Sequence, residues 1–539
     1  MKTLILPVLF ISLFSFGQTL PTSILLVGEE GRDLQANGFT SFLDGKYCIY
    51  GAIDDNALFS FYTNEGVLES RFEIDLNTTN QYVHYLIESE SGVLYGIIRK
   101  PGTQGLPQFV FAMDPNSKDI IWIQEFNSSD LQGSRFESLV EDVENGVIMV
   151  FGMIQPGSAP GGGQDYMLLK LDPETGAILG NYIYSMGDTD NFRDAFKKGT
   201  DLYTSGTLRG TTGLSSIRPC IGKFDTNGNL TWLKYYVKPK TESARVYAPK
   251  MVSIPDGMVV AGYGSLNSTS VNNYSLQVYK VNYEGDYQWG LDLSPNQSDL
   301  KVIEANGIIG VEDGYVVGAV LQDGESNFRA LIYKISLDGN FLWAKEIGLI
   351  GSMQSFGLDS YPGRMLISGT AHGIDNNQFV ANLNKDGEVE GTDCLWVKPF
   401  ALDYTELLSE TYIADPVSYE PVFSLELFSD FEVFGVEATS NEVCLGITSS
   451  FGINTEKEKF LVFPNPASSQ LNIETPASKL GKKIEVKITD LTGRLVLAEN
   501  SVAEIFTIQL PNIESGIYFV SFWNEEGMLL QTNKFTIIQ

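Results

Sequence analysis

The sequence has few of the residues from which metal and covalent catalytic sites are built. Its 539 residues include only 4 cysteines and 2 histidines. Scattered cysteines do not suit a disulfide scaffold or a cysteine metal site, and two histidines nearly exclude a histidine zinc site. No G-x-S-x-G motif accompanies His84 or His372, so neither histidine has a nucleophile motif beside it. The sequence predicts no cofactor, no metal and no catalytic residues.

Basic residues are also scarce, since 36 lysines and arginines face 67 acidic residues and give a net charge of -31. Such a charge repels phosphate backbones, which excludes nucleic acid as an expected partner. Long apolar runs are absent beyond the start of the chain, so we expect no transmembrane segment in the mature protein. Residues 1–17, MKTLILPVLFISLFSFG, have the pattern of a secretory signal peptide. In an exported chain, a disulfide between Cys394 and Cys444 is permitted.

What the sequence does contain is a repeat. A short apolar strand that ends in or near glycine recurs seven times, and the successive glycines are 45, 56, 54, 56, 56 and 51 residues apart. Each copy continues into an alternating segment with a turn rich in Asp, Asn and Gly, and then into a strand that often carries tryptophan. Alternation with period two and glycine turns predict antiparallel hairpins. The glycines are Gly51, Gly96, Gly152, Gly206, Gly262, Gly318 and Gly369.

Four short strands in each unit of about 50 residues are typical of a β-propeller blade. The repeat resembles the secreted bacterial propellers related to quinoprotein-like and delta-sixty repeats, and this resemblance covers residues 22–400. We therefore predict an all-β protein with a seven-bladed β-propeller, although closure with six or eight blades stays open. Residues 401–459 are expected to be an acidic, strand-containing connector, since no basic residue lies between Lys398 and Lys457.

The tryptophans and the acidic turns have structural explanations. Tryptophans occupy equivalent places in five repeats, as packing between blades requires; they are Trp122, Trp232, Trp289, Trp343 and Trp396. Turns such as DPETG at 172–176 lack the spaced ligands of a calcium loop and are interpreted as hairpin turns.

A ligand site of a propeller would lie where the innermost strands begin. Aromatic and arginine side chains occur there together, and this combination suits a glycan or an acidic peptide. Core packing and ordinary surface charge are the alternative explanation. The residues are Tyr82, His84, Arg135, Arg193, Arg245 and Tyr247.

The last eighty residues have a different pattern of strands, separated by Gly, Pro and Asn turns, which predicts a small Ig-like β-sandwich. The segments FPNP, DLTGRLV, LPNIESGIYFV and the terminal KF follow one another in the order found in the type A C-terminal sorting domain of the type IX secretion system, which residues 460–539 resemble. An ordinary adhesive sandwich is the alternative. The motif residues are Phe463, Pro464, Asn465, Pro466, Asp490, Gly493, Arg494, Gly516, Tyr518 and Lys534.

The resemblance implies export from a Gram-negative cell through the periplasm, followed by release or attachment at the outer surface. The expected partners are the type IX secretion machinery and its C-terminal signal peptidase or sortase, with a glycan or protein as an extracellular ligand. We predict a secreted or cell-surface propeller protein that acts as a non-catalytic binding or adhesion module. An extracellular polysaccharide hydrolase or lyase that uses propeller-face carboxylates is the alternative, and a quinone-dependent dehydrogenase is a third hypothesis.

Overall fold

The fold was analysed in a computed structural model. The structure describes residues 23–28, 32–63, 66–100, 108–126, 135–154, 164–185, 190–209, 217–237, 245–265, 274–348, 352–361, 364–372, 377–390, 397–407, 410–414, 417–419, 425–427, 432–435, 439–445, 460–463, 467–468, 470–475, 482–490, 495–503, 505–510, 516–524 and 529–537. The predicted signal peptide and Cys394 lie outside these residues, as does Trp396. All regular elements in the described part are β-strands, which confirms the predicted all-β class. The chain divides into two compact units, Met1–Ile447 and Thr448–Gln539.

The first unit repeats one antiparallel group of four strands. In the described residues there are seven such groups, and strands are numbered here in chain order. The first strands are β2 (Leu34–Ser41), β6 (Tyr82–Glu88), β10 (Arg135–Asp142), β14 (Asp190–Lys198), β18 (Arg245–Ile254), β22 (Lys301–Val311) and β26 (Ser352–Tyr361). The second strands are β3 (Tyr47–Ile53), β7 (Leu94–Arg99), β11 (Val147–Ile154), β15 (Asp201–Arg209), β19 (Gly257–Ser265), β23 (Gly314–Gln322) and β27 (Arg364–His372).

The third strands are β4 (Asn56–Tyr62), β8 (Gln108–Met113), β12 (Asp165–Leu171), β16 (Ile217–Asp225), β20 (Ser275–Asn282), β24 (Phe328–Ser336) and β28 (Asn377–Asn384). The fourth strands are β5 (Leu68–Asp75), β9 (Ile120–Phe126), β13 (Ile178–Ser185), β17 (Leu230–Val237), β21 (Tyr287–Pro295), β25 (Phe341–Ile347) and, for the last group, β1 (Ser23–Gly28). The seventh group is thus completed by β1, which precedes the first group in the sequence. The fourth and fifth groups are joined into one sheet by a parallel contact between Ile217 and Arg245.

Each first strand contacts the first strand of the next group, and β26 contacts β2, so the series of groups is closed. Second strands such as β3 and β11 are buried along their whole length, because they have a strand on either side and neighbouring groups on both faces. Their apolar side chains pack between groups and form the core of the unit.

Four tryptophans pack between neighbouring groups, as the sequence predicts. Each ring on a fourth strand covers the turn glycine of the following group; a Cβ at Gly285, for example, would lie 2.7 Å from the Trp232 ring. Trp122 also donates a hydrogen bond from Nε1 to the Pro173 carbonyl at 2.9 Å. In the DPETG turn, Asp172 Oδ1 accepts from the backbone N–H groups of Glu174 and Thr175, so this carboxylate stabilises its own hairpin.

The segment after the seventh group forms a belt, defined here as residues 397–445, that adds a fifth strand to each group. It pairs in succession with the sixth, fifth, fourth, third, second, first and seventh groups, always antiparallel to the fourth strand. Its strands are β29 (Val397–Pro399), β30 (Leu402–Glu406), β31 (Glu410–Ala414), β32 (Val417–Tyr419), β33 (Leu425–Leu427), β34 (Glu432–Gly435) and β35 (Thr439–Leu445).

The second unit consists of two small antiparallel sheets with one shared apolar core. One sheet has the order β36-β37-β40 and the other β39-β38-β41-β42. Leu471, Val486 and Phe522 lie in this core, and the Phe460 and Phe522 rings are stacked with centroids 4.1 Å apart. The strands are β36 (Leu461–Phe463), β37 (Gln470–Glu474), β38 (Ile484–Asp490), β39 (Leu495–Ser501), β40 (Ile505–Gln509), β41 (Gly516–Trp523) and β42 (Leu529–Ile537).

None of the described residues form a helix with the length and apolarity that a membrane span requires.

Candidate functional site

Every first strand of the seven groups contains an irregularity in its pairing with the second strand. In β10, Phe136 pairs with Gly152 and Ser138 with Phe151, so Glu137 has no pairing partner. Such β-bulges bend a strand and redirect a side chain. The residues that the pairing skips are Asn37, His84, Glu137, Arg193, Ala248, Pro249, Ile303, Asn306 and Phe356.

In three of the seven repeats, the bulge explains the recurring glycine. A Cβ at Gly152 would lie 2.0 Å from the carbonyl oxygen of Arg135, and Gly51 and Gly206 meet the corresponding carbonyls of Gln35 and Asn191 at the same distance. Only glycine permits this close approach of two backbones. At these three positions, the glycine of the repeat marks where a first strand presents an unpaired residue.

The first strands surround a cavity of about 750 Å³, to which all seven contribute. This volume is typical of a small-molecule site. Tyr82, His84, Arg135 and Arg193, four of the six predicted ligand-face residues, line this cavity. Arg99 and Lys250 line it as well, although the sequence analysis did not select them.

A buried carboxylate, Glu137, gathers the cationic side chains of the cavity. Its Oε2 lies 2.9 Å from Arg99 Nη2 and 3.2 Å from His84 Nε2. Its Oε1 accepts a hydrogen bond from Arg193 Nη1 at 3.1 Å and lies 3.5 Å from Arg135 Nε. Three guanidinium groups thus share one carboxylate, and the side chains of Glu137 and Arg99 are only 3% and 4% exposed.

Burial opposes ionisation of Glu137, but the charges of Arg193 and Arg99 outweigh it and hold the pKa of this carboxyl well below its usual range. For His84, burial is the largest cause and the Arg99 charge adds to it, so the pKa of the imidazole falls to about 3. Glu137 is therefore ionised and His84 is neutral near pH 7. A neutral imidazole that donates through Nε2 to the carboxylate fits this arrangement.

Two further carboxyl groups line the cavity in a less favourable environment. Burial raises the pKa of Asp194, although its Oδ2 accepts a backbone hydrogen bond from Met251 at 3.0 Å. Burial also raises the pKa of Glu304, on which Arg193 and Lys250 act in the opposite direction. Carboxyl groups with a raised pKa in a cavity are candidates for proton transfer as well as for binding.

Aromatic rings lie beside these charges. The Tyr82 ring contacts His84 edge to face, with centroids 6.2 Å apart. Tyr247 belongs to a cluster with Tyr263 and Tyr274, in which the ring centroids are 5.7 to 6.0 Å apart. Burial and the Glu304 charge raise the pKa of Tyr263, which places this cluster near the cavity carboxyl.

Tyr247 itself is outside the set of cavity-lining residues. Of Arg245, the sixth predicted residue, only the backbone is described, and it pairs with Ser265. The sequence analysis missed Glu137 because nothing in the sequence shows which of its 67 acidic residues lie close together in space. The available signal was a charged residue among the apolar Phe136, Leu139 and Val140 of a first strand.

In the part of the chain that the structure describes, no three His, Cys, Asp or Glu side chains converge as a metal site would need. The side chains of Cys48 and Cys220 are buried in the first unit. Only the backbone of Cys444 is described, where it pairs with Ile24, so the predicted Cys394–Cys444 disulfide lies outside the described side chains.

The sorting motifs fall at strand ends and on the last two strands of the second unit. Phe463 ends β36, Asp490 ends β38, and Gly516 begins β41. Tyr518 is buried with its ring centroid 6.1 Å from that of Phe535, and Lys534 is opposite Phe519 in the strand register. Pro464, Asn465, Pro466, Gly493 and Arg494 lie outside the described residues.

Residues 461–539 match the family model of the secretion system C-terminal sorting domain, which confirms the predicted type IX sorting domain. No curated protein sequence matches the chain.

Solved structures with some likeness include an α-L-arabinanase of Penicillium chrysogenum complexed with arabinobiose, at 12% identity and a TM-score of 0.38 over 56% of this chain and 92% of that chain. PorZ, a surface component of the type IX secretion system of Porphyromonas gingivalis, has 10% identity and a TM-score of 0.17 over 94% and 81%. A neuraminidase-like protein from A/bat/Guatemala/164/2009 has 9% identity and a TM-score of 0.30 over 68% and 96%. TM-scores this low assign no activity to the chain.

Proposed function

We propose that this chain, which carries a type IX secretion C-terminal sorting domain at residues 461–539, is an exported binding protein whose first unit is a seven-bladed β-propeller. The sorting domain implies interaction with the secretion machinery and export to the cell surface or the medium. Seven four-stranded groups in a closed series support the seven-bladed architecture. The two sheets of the second unit support an Ig-like sandwich.

The propeller binds an extracellular ligand in its central cavity without converting it. The observation that carries this proposal is the cluster of Arg99, Arg135 and Arg193, which line that cavity and share the buried carboxylate Glu137. Guanidinium groups bind and orient ligand oxygen atoms, whereas they are too weakly acidic for proton transfer.

A polysaccharide hydrolase or lyase is the second candidate, because Asp194 and Glu304 are cavity carboxyls with a raised pKa. A glycosidase needs one carboxyl that stays protonated as the general acid and a second, ionised one. Incubation of the purified mature protein with a panel of polysaccharides and glycosides separates the two functions. Saturable binding without new reducing ends supports the binding protein, and a reproducible product that is lost in Glu304→Gln would establish the enzyme instead.

Export is tested by removing the sorting domain, residues 460–539. A chain that ends at residue 459 should accumulate in the periplasm, because it lacks the domain that the secretion machinery recognises. Cell fractionation and immunoblotting of the medium, outer surface and periplasm measure this. A variant with the segment 455–459 shuffled should be exported normally, and normal export of the truncated chain would show that the sorting domain is dispensable.

A further inference from the structure

The charge inside the cavity differs from that of the whole protein. Around Glu137 the lining supplies four cations, Arg99, Arg135, Arg193 and Lys250, in a chain with a net charge of -31. The carboxyls that oppose them are Glu137 itself, Asp194 and Glu304. Beside Glu137 itself three guanidinium groups face one carboxylate, so the charge at that part of the cavity is positive.

Two other carboxylates line the cavity, but both are held at the far ends of first strands. Glu88 ends β6, where its Oε2 accepts a hydrogen bond from the backbone N–H of Leu43 at 2.6 Å. Asp359 accepts hydrogen bonds through Oδ2 from the hydroxyl and the backbone N–H of Ser41, which ends β2. Their hydrogen-bond donors are neutral and leave both charges in place, so the positive charge is confined to the arginines that surround Glu137.

The arginines retain unused hydrogen-bonding capacity. The Arg99 side chain is 4% exposed, and its Nε and Nη1 have no hydrogen-bond partner among the described residues; the same holds for Nε of Arg193. A buried guanidinium with unmet donors costs free energy that an anionic oxygen can recover. Arg99 lines the cavity, and the neighbouring Arg135 and Arg193 side chains are 44% and 22% exposed, so an anionic ligand group can reach the cluster.

We infer that the cavity binds an acidic sugar and holds its carboxylate or sulfate group against Arg99, Arg135 and Arg193. This inference rests on the proposed binding function. Tyr82 offers an aromatic surface at the same cavity, and Asn37 and Asn306, both skipped by the strand pairing, supply amides that suit sugar hydroxyls. A volume of about 750 Å³ accommodates a short oligosaccharide end.

Isothermal titration of the full mature chain tests the inference with three probes. These are trigalacturonate, a sulfated galactose disaccharide, and neutral galactotriose. We expect saturable binding of the trigalacturonate, the sulfated sugar or both, and at least tenfold weaker binding of the neutral one, because charge-assisted hydrogen bonds are the strong ones. The relative affinities of the first two distinguish a carboxylate from a sulfate ligand.

The variant Arg135→Gln is chosen because Arg135 is 44% exposed and its loss should be tolerated by the fold. It should weaken acidic-sugar binding by about tenfold or more. Arg329→Gln is the matched control, since Arg329 forms ion pairs with Asp323 and Glu346 outside the cavity lining. The Arg329→Gln variant should bind the acidic sugars with the same affinity as the unmodified protein.

If neutral and acidic sugars bind with equal affinity and Arg135→Gln weakens both, the acidic-sugar inference is overturned and the proposed binding function remains. Acidic-sugar binding that Arg135→Gln and Arg99→Gln both leave unchanged would overturn the assignment to this cavity. Absence of binding to all three probes would also overturn the inference, whereas the binding function fails only when the wider panel yields a product or no cavity-dependent ligand.

Discussion

Replacement of Gly152 by alanine should disrupt both the stability of the first unit and its ligand site. Gly152 is buried on β11, where a Cβ would lie 2.0 Å from the carbonyl oxygen of Arg135 and 3.0 Å from its carbonyl carbon. Both are backbone atoms, so no side-chain rotation relieves the contact. The first strand must move away from the second, and the bulge that holds Glu137 moves with it.

Overpacking a buried position by one methyl group typically costs about 1–3 kcal/mol. A contact with backbone atoms belongs at the upper end, so we expect Gly152→Ala to lower the free energy of unfolding by about 3 kcal/mol. Since the bulge positions Glu137 and its arginines, the affinity for a cavity ligand should fall as well.

Denaturant unfolding followed by tryptophan fluorescence measures the effect. Gly310→Ala is the matched control, because Gly310 is exposed on β22 and a Cβ there meets no atom within 4 Å. The control should unfold within about 0.5 kcal/mol of the unmodified protein. If the two variants are equally stable, or if Gly152→Ala binds ligand normally, the bulge does not require glycine and this explanation of the repeat is wrong.

Two other perturbations follow from the structure. Glu137→Gln leaves three arginines without their carboxylate and should lower the free energy of unfolding by about 3–5 kcal/mol at pH 7. Because the folded-state pKa of Glu137 is depressed, the ionised carboxylate stabilises the fold above the unfolded-state pKa of about 4.3. This stabilisation is lost as the pH falls further. The difference in Tm between Glu137→Gln and the unmodified protein should therefore be smaller at pH 3.5 than at pH 7. An equal difference at both pH values would contradict the assigned ionisation of Glu137. Replacing residues 401–445 of the belt with a flexible linker uncovers the edges of fourth strands and should cause aggregation and a lower Tm. Size-exclusion chromatography and calorimetry measure these effects, and a variant with residues 446–459 shuffled should show neither. If the linker variant has an unchanged elution volume and Tm, the belt does not protect these edges.

The sequence predicts the elements whose physical requirements recur at a fixed spacing. Gly51, Gly152 and Gly206 recur because the bulge beside each of them excludes a Cβ. Trp232 and Trp289 recur because each covers a turn glycine of the next group. Both constraints are local in each repeat, so they leave a periodic signal. The motifs of the sorting domain were visible for a related reason, since FPNP and DLTGRLV are contiguous segments of sequence.

The belt and the charge cluster leave no comparable signal. A strand as short as Val417–Tyr419 carries little pattern, and its partner strand lies more than 200 residues away in the sequence. Glu137, Arg99 and Arg193 come from different strands, so only the closed series of groups brings them together. Sequence reasoning selected Arg135 and Arg193 by their position in the repeat, but it could not identify the carboxylate that they share.

The belt also explains how a strongly acidic protein can present a positive cavity. Between Lys398 and Lys457 the chain has eleven acidic residues and no basic ones, and the belt strands in this segment occupy the outermost position of their groups. Four strand spacings separate a fifth strand from a first strand, which amounts to about 19 Å. A Coulomb interaction falls with distance, so a belt carboxylate acts several times more weakly on the inner arginines than Glu137 does at 3.5 Å or less. The arginines on the inner strands therefore determine the sign of the charge that a ligand meets beside Glu137.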